Sequence, residues 1–199
     1  KPFSYLVPYY RFPYRVDVVN LSSGSINMIS DIPIDEVRPT GFDATRLGIR
    51  SVSWRNDKGS ELYWVEANDG GDPRNDVEFR DIVYTLSKPF TSEKEVLTKT
   101  KLRFRNIRWS DSEYAILSER LWKNRSDITS LINTKSKSIE KVLFNRKYDD
   151  IYSDPGSVIL TKNNYGRNIF QIKKNSILMI GQGGSPEGYR PFYSSFNIK

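Results

Sequence analysis

The side chains that most often do chemistry are scarce in this sequence. Its 199 residues include no Cys and no His. That removes the thiol nucleophile, thiolate-based zinc sites, the commonest general base and the commonest metal ligand together. An activated serine of the triad type needs a His and a strained turn of the form G-x-S-x-G. The nearest string, Gly183-Gly184-Ser185-Pro186-Glu187, carries Glu where the last Gly should stand, and no helical pattern follows it. Triad catalysis by this chain alone is therefore not expected.

Other candidate sites are weaker. Gly181-Gln182-Gly183-Gly184-Ser185-Pro186 lacks the Lys-Ser/Thr ending of a P-loop and the last Gly of a dinucleotide fingerprint, so it reads as a strand-joining turn. Asn68 to Asp76 is rich in oxygen ligands but departs from the EF-hand order, with no closing Glu. It reads as an exposed loop between two strands, long enough to be a contact surface. No metal and no cofactor is expected. Arg46 and Arg50 flank Gly48, and an arginine can clamp a carboxylate bidentately; tying a turn through backbone carbonyls is the plainer role. Trp54, Trp64, Trp109 and Trp122 could form a stacking platform. Trp54 and Trp109 hold equivalent places in a repeat, which points to core packing, and Trp122 is the ambiguous one. The candidate substrate-binding residues are thus Arg46, Arg50 and Trp122.

The elements that must position these residues are strands. Hydrophobic residues make up 37% of the chain and aromatic residues 13%, enough for a core and weighted toward β structure. Helical periodicity is weak. Short strand-like runs recur instead, bounded by Gly, Asn, Asp, Ser and Pro. Arg15–Leu21 and Ile26–Ile29 flank a Ser22-Ser23-Gly24 turn and form a hairpin. Arg50–Trp54 leads through a polar turn to Leu62–Val65, and Arg105–Trp109 leads in the same way to Tyr114–Leu117. Two outer pairs follow the same grammar: Ile82–Leu86 with Glu95–Leu97, and Ile128–Asn133 with Val142–Phe144.

A unit of four strands recurring at a spacing near fifty residues predicts a β-propeller. The expected fold is all-β, built of four-stranded antiparallel blades and incomplete at both ends. Residues 1–48 form a partial blade, 49–103 and 104–150 full blades, and 151–199 a second partial one. Residues 3–30 are expected to supply three strands. Open blade edges carry a risk of dimerisation.

The net charge of +7 is uneven: residues 1–100 carry 13 basic and 15 acidic side chains, residues 101–199 carry 18 and 9. No nucleic-acid motif accompanies the basic half, so solvated lysines are the expectation rather than a nucleic-acid partner. The longest aliphatic run, Ile177–Ile180, falls far short of the roughly 20 residues of a membrane span. The opening Lys1-Pro2-Phe3 reads as the interior of a fold. The compartment stays open, with a periplasmic or secreted location expected only if a signal peptide lies upstream.

Several stretches carry a resemblance in common order. They are Arg11-Phe12-Pro13, Phe42-Asp43, Gly48–Arg55, Leu62–Ala67 with Asp69–Pro73, Arg80–Thr85, Tyr152–Ser157, Gly184–Gly188 and Pro191-Phe192. Together they resemble the propeller region of the prolyl oligopeptidase family of serine peptidases, in its glutamyl-endopeptidase-like branch. That resemblance implies an N-terminal propeller over the active site of an α/β-hydrolase domain with a Ser-Asp-His triad, a domain this chain does not contain. It also implies cleavage of peptides with a preference for acidic residues. The chain is then expected to gate and position peptide substrates for a hydrolase domain of the same polypeptide. A stand-alone propeller serving as an interaction or ligand-binding module is the alternative.

Overall fold

The computed structural model describes residues 6–199. A 3₁₀ turn at Tyr9–Arg11 precedes a hairpin of β1 (Tyr14–Val19) and β2 (Ile26–Ile32). Its turn forms because Asn20 Oδ1 accepts from the backbone N–H groups of Ser22 and Ser23, the local bond that makes Asn a turn former. Of the three strands expected over residues 3–30, two lie within the described residues; the first expectation begins on residues 1–5, outside them.

Two four-stranded antiparallel sheets follow. The first contains β3 (Arg50–Trp54), β4 (Glu61–Ala67), β5 (Asp81–Ser87) and β6 (Glu95–Thr100), hydrogen-bonded in chain order. The second contains β7 (Arg103–Trp109), β8 (Tyr114–Leu121), β9 (Ser126–Asn133) and β10 (Ser138–Lys147), again in chain order. β8 and β9 pair without a bulge from Tyr114↔Asn133 to Leu121↔Ser126. A third sheet has the order β11 (Ser157–Val158), β14 (Ser176–Gly181), β17 (Phe192–Asn197). Two small hairpins interrupt it: β12 (Thr161–Lys162) with β13 (Asn168–Ile169), and β15 (Gly184–Ser185) with β16 (Gly188–Tyr189).

The packing follows from period-two alternation. Ala115 and Leu117 of β8 face the first sheet, meeting Val65, Val83 and Leu97, while Ile116 faces the third sheet, meeting Val158, Phe170 and Ile177. The second sheet is thus buried on both faces, and each fully buried Leu or Ile contributes ~1.5–3 kcal/mol. On the far face of the first sheet, Leu62 and Trp64 of β4 pack with Ile32 and Val18 of the hairpin. Consecutive antiparallel meanders stacked face to face are propeller blades, and the chain is an all-β propeller fragment. The fourth strand of the second blade is the outer one, most of β10 being exposed. β7 is then the innermost strand of its blade, and β3 of the first.

The two repeat tryptophans part company here. Trp109 is 2% exposed, whereas Trp54, expected in the core with it, is 38% exposed. Trp109 is covered by the preceding blade, with the Arg55 guanidinium 4.3 Å over its ring and Tyr63 edge-on at 5.4 Å. On the corresponding side of Trp54 the described residues provide only the β1–β2 hairpin, and its aromatic neighbour is Phe90 of the same blade, 5.7 Å away.

Candidate functional site

The end of the blades that carries the β4–β5 and β8–β9 loops holds most of the buried charge. Asp81 opens β5 and is fully buried. Its Oδ1 accepts from Arg103 Nη1 at 3.0 Å, and its Oδ2 from Arg50 Nη2 at 2.5 Å and from the Phe104 N–H at 2.7 Å. Asp69, in the loop after β4, accepts from Arg103 through both carboxylate oxygens (2.8 and 2.7 Å) and from Arg80 at 3.0 Å. The Asn68–Asp76 loop is therefore not simply an exposed surface. Its first carboxylate is consumed by two arginines, and no cluster of three metal-ligating side chains exists among the described residues.

Backbone geometry brings Asp69 inward. Gly71 has φ +74°, and a Cβ there would stand 2.2 Å from the Thr45 carbonyl oxygen. Only glycine allows that approach. It lets the Thr45 N–H donate to the Gly71 carbonyl and the Gly71 N–H donate to Asp69 Oδ1. Glu119, buried one strand over on β8, accepts from the Leu102 N–H at 2.6 Å. Burial raises its carboxyl above the ordinary range. Burial also lowers the Arg50 pKa, opposed by the charge and hydrogen bond of Asp81; an arginine nonetheless stays charged.

Beside this clamp lies an open cavity of about 380 Å³ lined by Phe42, Thr45, Arg50, Phe104, Arg105 and Trp122, among others. The structure thus brings two of the three candidate residues together. Arg50 turns one guanidinium nitrogen to Asp81 and leaves Nη1 buried without a partner. Arg105, exposed on β7, has no ion-pair partner among the described residues. Four arginines, Arg50, Arg103, Arg105 and Arg120, line the cavity against one carboxylate, Asp43, which leaves it with positive potential.

Trp122 is 41% exposed, but its ring faces are occupied. Phe42 stacks on it at 3.8 Å between centroids, and the Arg125 guanidinium lies 4.1 Å from its centroid. The Asp43 carboxylate accepts from the N–H groups of Trp122 and Lys123, fastening the loop before β3 to the second blade. Trp122 offers the cavity an edge rather than a stacking face. Arg46 stands apart from the cavity. It donates to the Pro33 carbonyl at 2.9 Å and lies 5.0 Å over the Tyr14 ring, the turn-tying geometry.

In the sequence, Asp69 stands out as part of an oxygen-rich loop, and Arg80 and Asp81 only within the resemblance; nothing there singles out Arg103 or the clamp these four form. The available signal was the acidic start of β5 next to Arg80, but nothing local names Arg103, 34 residues from Asp69, as the partner. Ser185 sits in the β15–β16 hairpin, where its Oγ donates to the Gly188 carbonyl at 2.7 Å. Its other contact is the Glu187 carboxylate at 3.3 Å, and the sequence has no His to complete a triad.

No protein-family model matches the chain. Two curated plant proteins do, each named probable glutamyl endopeptidase, chloroplastic: that of Oryza sativa subsp. japonica is 38% identical over 206 residues and that of Arabidopsis thaliana 38% over 207. Both alignments cover 100% of this chain, which spans 22% of the length of each relative. Among solved structures, the β-propeller domain of the Trilobed protease from Pyrococcus furiosus aligns with 94% of this chain and 60% of its own, at TM-score 0.40 and 10% identity. From end to end, this chain is a β-propeller segment akin to part of the glutamyl endopeptidases.

Proposed function

We propose that the chain is the propeller portion of a serine peptidase of the prolyl oligopeptidase type, which admits and orients peptides for an α/β-hydrolase domain of the same polypeptide. The observation that carries this reading is the 38% identity, along the whole chain, to proteins named as glutamyl endopeptidases. The lack of any His agrees with a catalytic apparatus located elsewhere. The blades act sterically: a rigid β wall passes a flexible peptide, excludes a folded protein and limits water at the reacting bond. The cavity beside the clamp supports a binding role for Arg105, whose exposed guanidinium suits the carboxylate of an acidic peptide side chain, with Arg50 adding positive charge to the wall.

The deciding experiment labels the full-length polypeptide with a fluorophosphonate probe and assays peptides bearing Glu, Pro or Lys before the scissile bond. The 199-residue chain is the control. Labelling of the full-length protein, none of the segment, and a Glu preference support the reading. An unlabelled full-length protein leaves a propeller scaffold whose partners are other macromolecules.

A further inference from the structure

At the opposite end of the blades, a short hairpin ties the third sheet to the first. The strand that begins at β11 continues until the Ile159 N–H donates to the Leu178 carbonyl, then leaves the sheet as the β12–β13 hairpin. It returns at Phe170, whose N–H donates to the Trp109 carbonyl and whose own carbonyl accepts from the Asp111 N–H. The hairpin therefore runs along the inner edge of β7, the axis side of the second blade. A cavity of about 290 Å³ separates Leu160 and Asn168 from Asn106 and Arg108 there. Its tip closes on itself, with Asn163 Oδ1 accepting from the Tyr165 and Arg167 N–H groups.

The tip lands on the β3–β4 turn of the first blade, more than a hundred residues away in sequence. Arg167 donates to the carbonyls of Arg55 at 2.8 Å, Lys58 at 2.6 Å and Gly59 at 3.2 Å. Asn163 Nδ2 donates to the Asn56 carbonyl at 2.6 Å, and Asn56 Nδ2 to the Asn168 carbonyl at 2.8 Å. The two sides of this contact differ in firmness. Arg55 is buried against Trp109 and paired with Asp57 and Glu61, so the turn is fixed. Arg167 has no carboxylate partner among the described residues; its bond to the Arg55 carbonyl is part-buried, and those to the Lys58 and Gly59 carbonyls are exposed, where water competes for them. Segments held by exposed polar bonds open at low free energy. The hairpin also walls an open cavity of about 920 Å³, shared with the turns after β3, β7 and β9.

We propose that hairpin 161–168 is a latch on the axis side of the blades, and that its release from the 55–60 turn sets the largest peptide admitted past them. The second half rests on the peptide-gating reading above; the first stands on the contacts alone. The test uses the full-length polypeptide in a cysteine-free background. Arg167→Ala weakens the latch, and a short bis-maleimide bridge between Asn56→Cys and Asn163→Cys holds it shut, with the unbridged protein as its own folding control. Hydrogen exchange is read at residues 161–168 and at β8–β9. Cleavage is read on a peptide of a few residues and on one several times longer.

Exchange in the hairpin about 10-fold faster in Arg167→Ala, with β8–β9 unchanged, establishes the latch. A long-to-short cleavage ratio that rises in Arg167→Ala and falls on bridging establishes the size limit. Unchanged hairpin exchange overturns the latch, and an unchanged ratio in an active enzyme overturns the size limit. A full-length protein that cleaves neither peptide overturns the peptidase reading instead, and the exchange result then decides the latch by itself.

Discussion

The first blade is fastened to its neighbours at both ends, by chemically opposite means. At the loop end, Asp69 and Asp81 are buried with Arg50, Arg80 and Arg103, and every carboxylate oxygen is used. At the turn end, Arg167 and two asparagines meet backbone carbonyls through bonds that are part-buried or exposed and involve no carboxylate. A buried ion cluster cannot come apart gradually, because removing one partner strands a charge in a medium that does not solvate it. An exposed set of amide and guanidinium bonds exchanges with water at little cost. One end of the blade contact is therefore held by buried paired charge and the other by weaker polar bonds.

The comparison can be broken most forcefully at Asp81. Asp81→Ala leaves Arg50 and Arg103 buried without their shared carboxylate, and a loss of about 3–5 kcal/mol is expected in urea unfolding. Gly71→Ala attacks the same end through the backbone, since its Cβ would meet the Thr45 carbonyl at 2.2 Å; a loss of about 1–3 kcal/mol is expected. Arg167→Ala, at the other end, should lower global stability by only about 1 kcal/mol. An equal loss at Asp81 and Arg167 would erase the contrast.

Two smaller effects are read by pH. Because burial raises the Glu119 carboxyl, the native state holds that proton longer than the unfolded chain does. Stability from this group is full below the ordinary Glu value of ~4.3 and declines as pH rises through the raised value. Glu119→Gln should flatten that decline in urea midpoints measured across the same window. Asp72 behaves in the opposite sense. Hydrogen bonds from Arg74 hold its carboxyl down to about 2, so whatever it contributes is present above the unfolded value of ~3.9 and lost as pH falls. The Arg74 side chain is largely exposed, so the expected signal is a carboxyl carbon titration by NMR that returns to the ordinary range in Arg74→Ala, with no measurable change in midpoint.

The strands and hairpins were legible because their cause is local. The apolar runs Leu62–Val65 and Tyr114–Leu117 mark strands, alternation in Ile26–Ile29 assigns a face, and Asn20 or Gly24 marks a turn without reference to anything distant. The fastenings were not legible, because their cause is pairwise and remote. Arg103 reaches Asp69 across 34 residues, and Arg167 reaches Arg55 across 112; an arginine on a strand looks the same whether it is solvated or clamped. Arg50 was found for its type and for its place beside Gly48, and its partner Asp81 was not. Trp54 shows the limit of repeat logic: equivalent positions share a backbone environment, but their burial depends on what the neighbouring blade supplies.

That inequality among the tryptophans makes the chain its own optical reporter. Trp64 and Trp109 are 3% and 2% exposed, so their emission should be blue-shifted and unreachable by iodide. Trp54 and Trp122 should emit further to the red and be quenched. Trp54 shares a cavity with Gly59 of the turn and Arg167 of the hairpin that closes on it. Its quenching rate therefore follows the state of that contact, and the buried pair serves as an internal standard in the same spectrum.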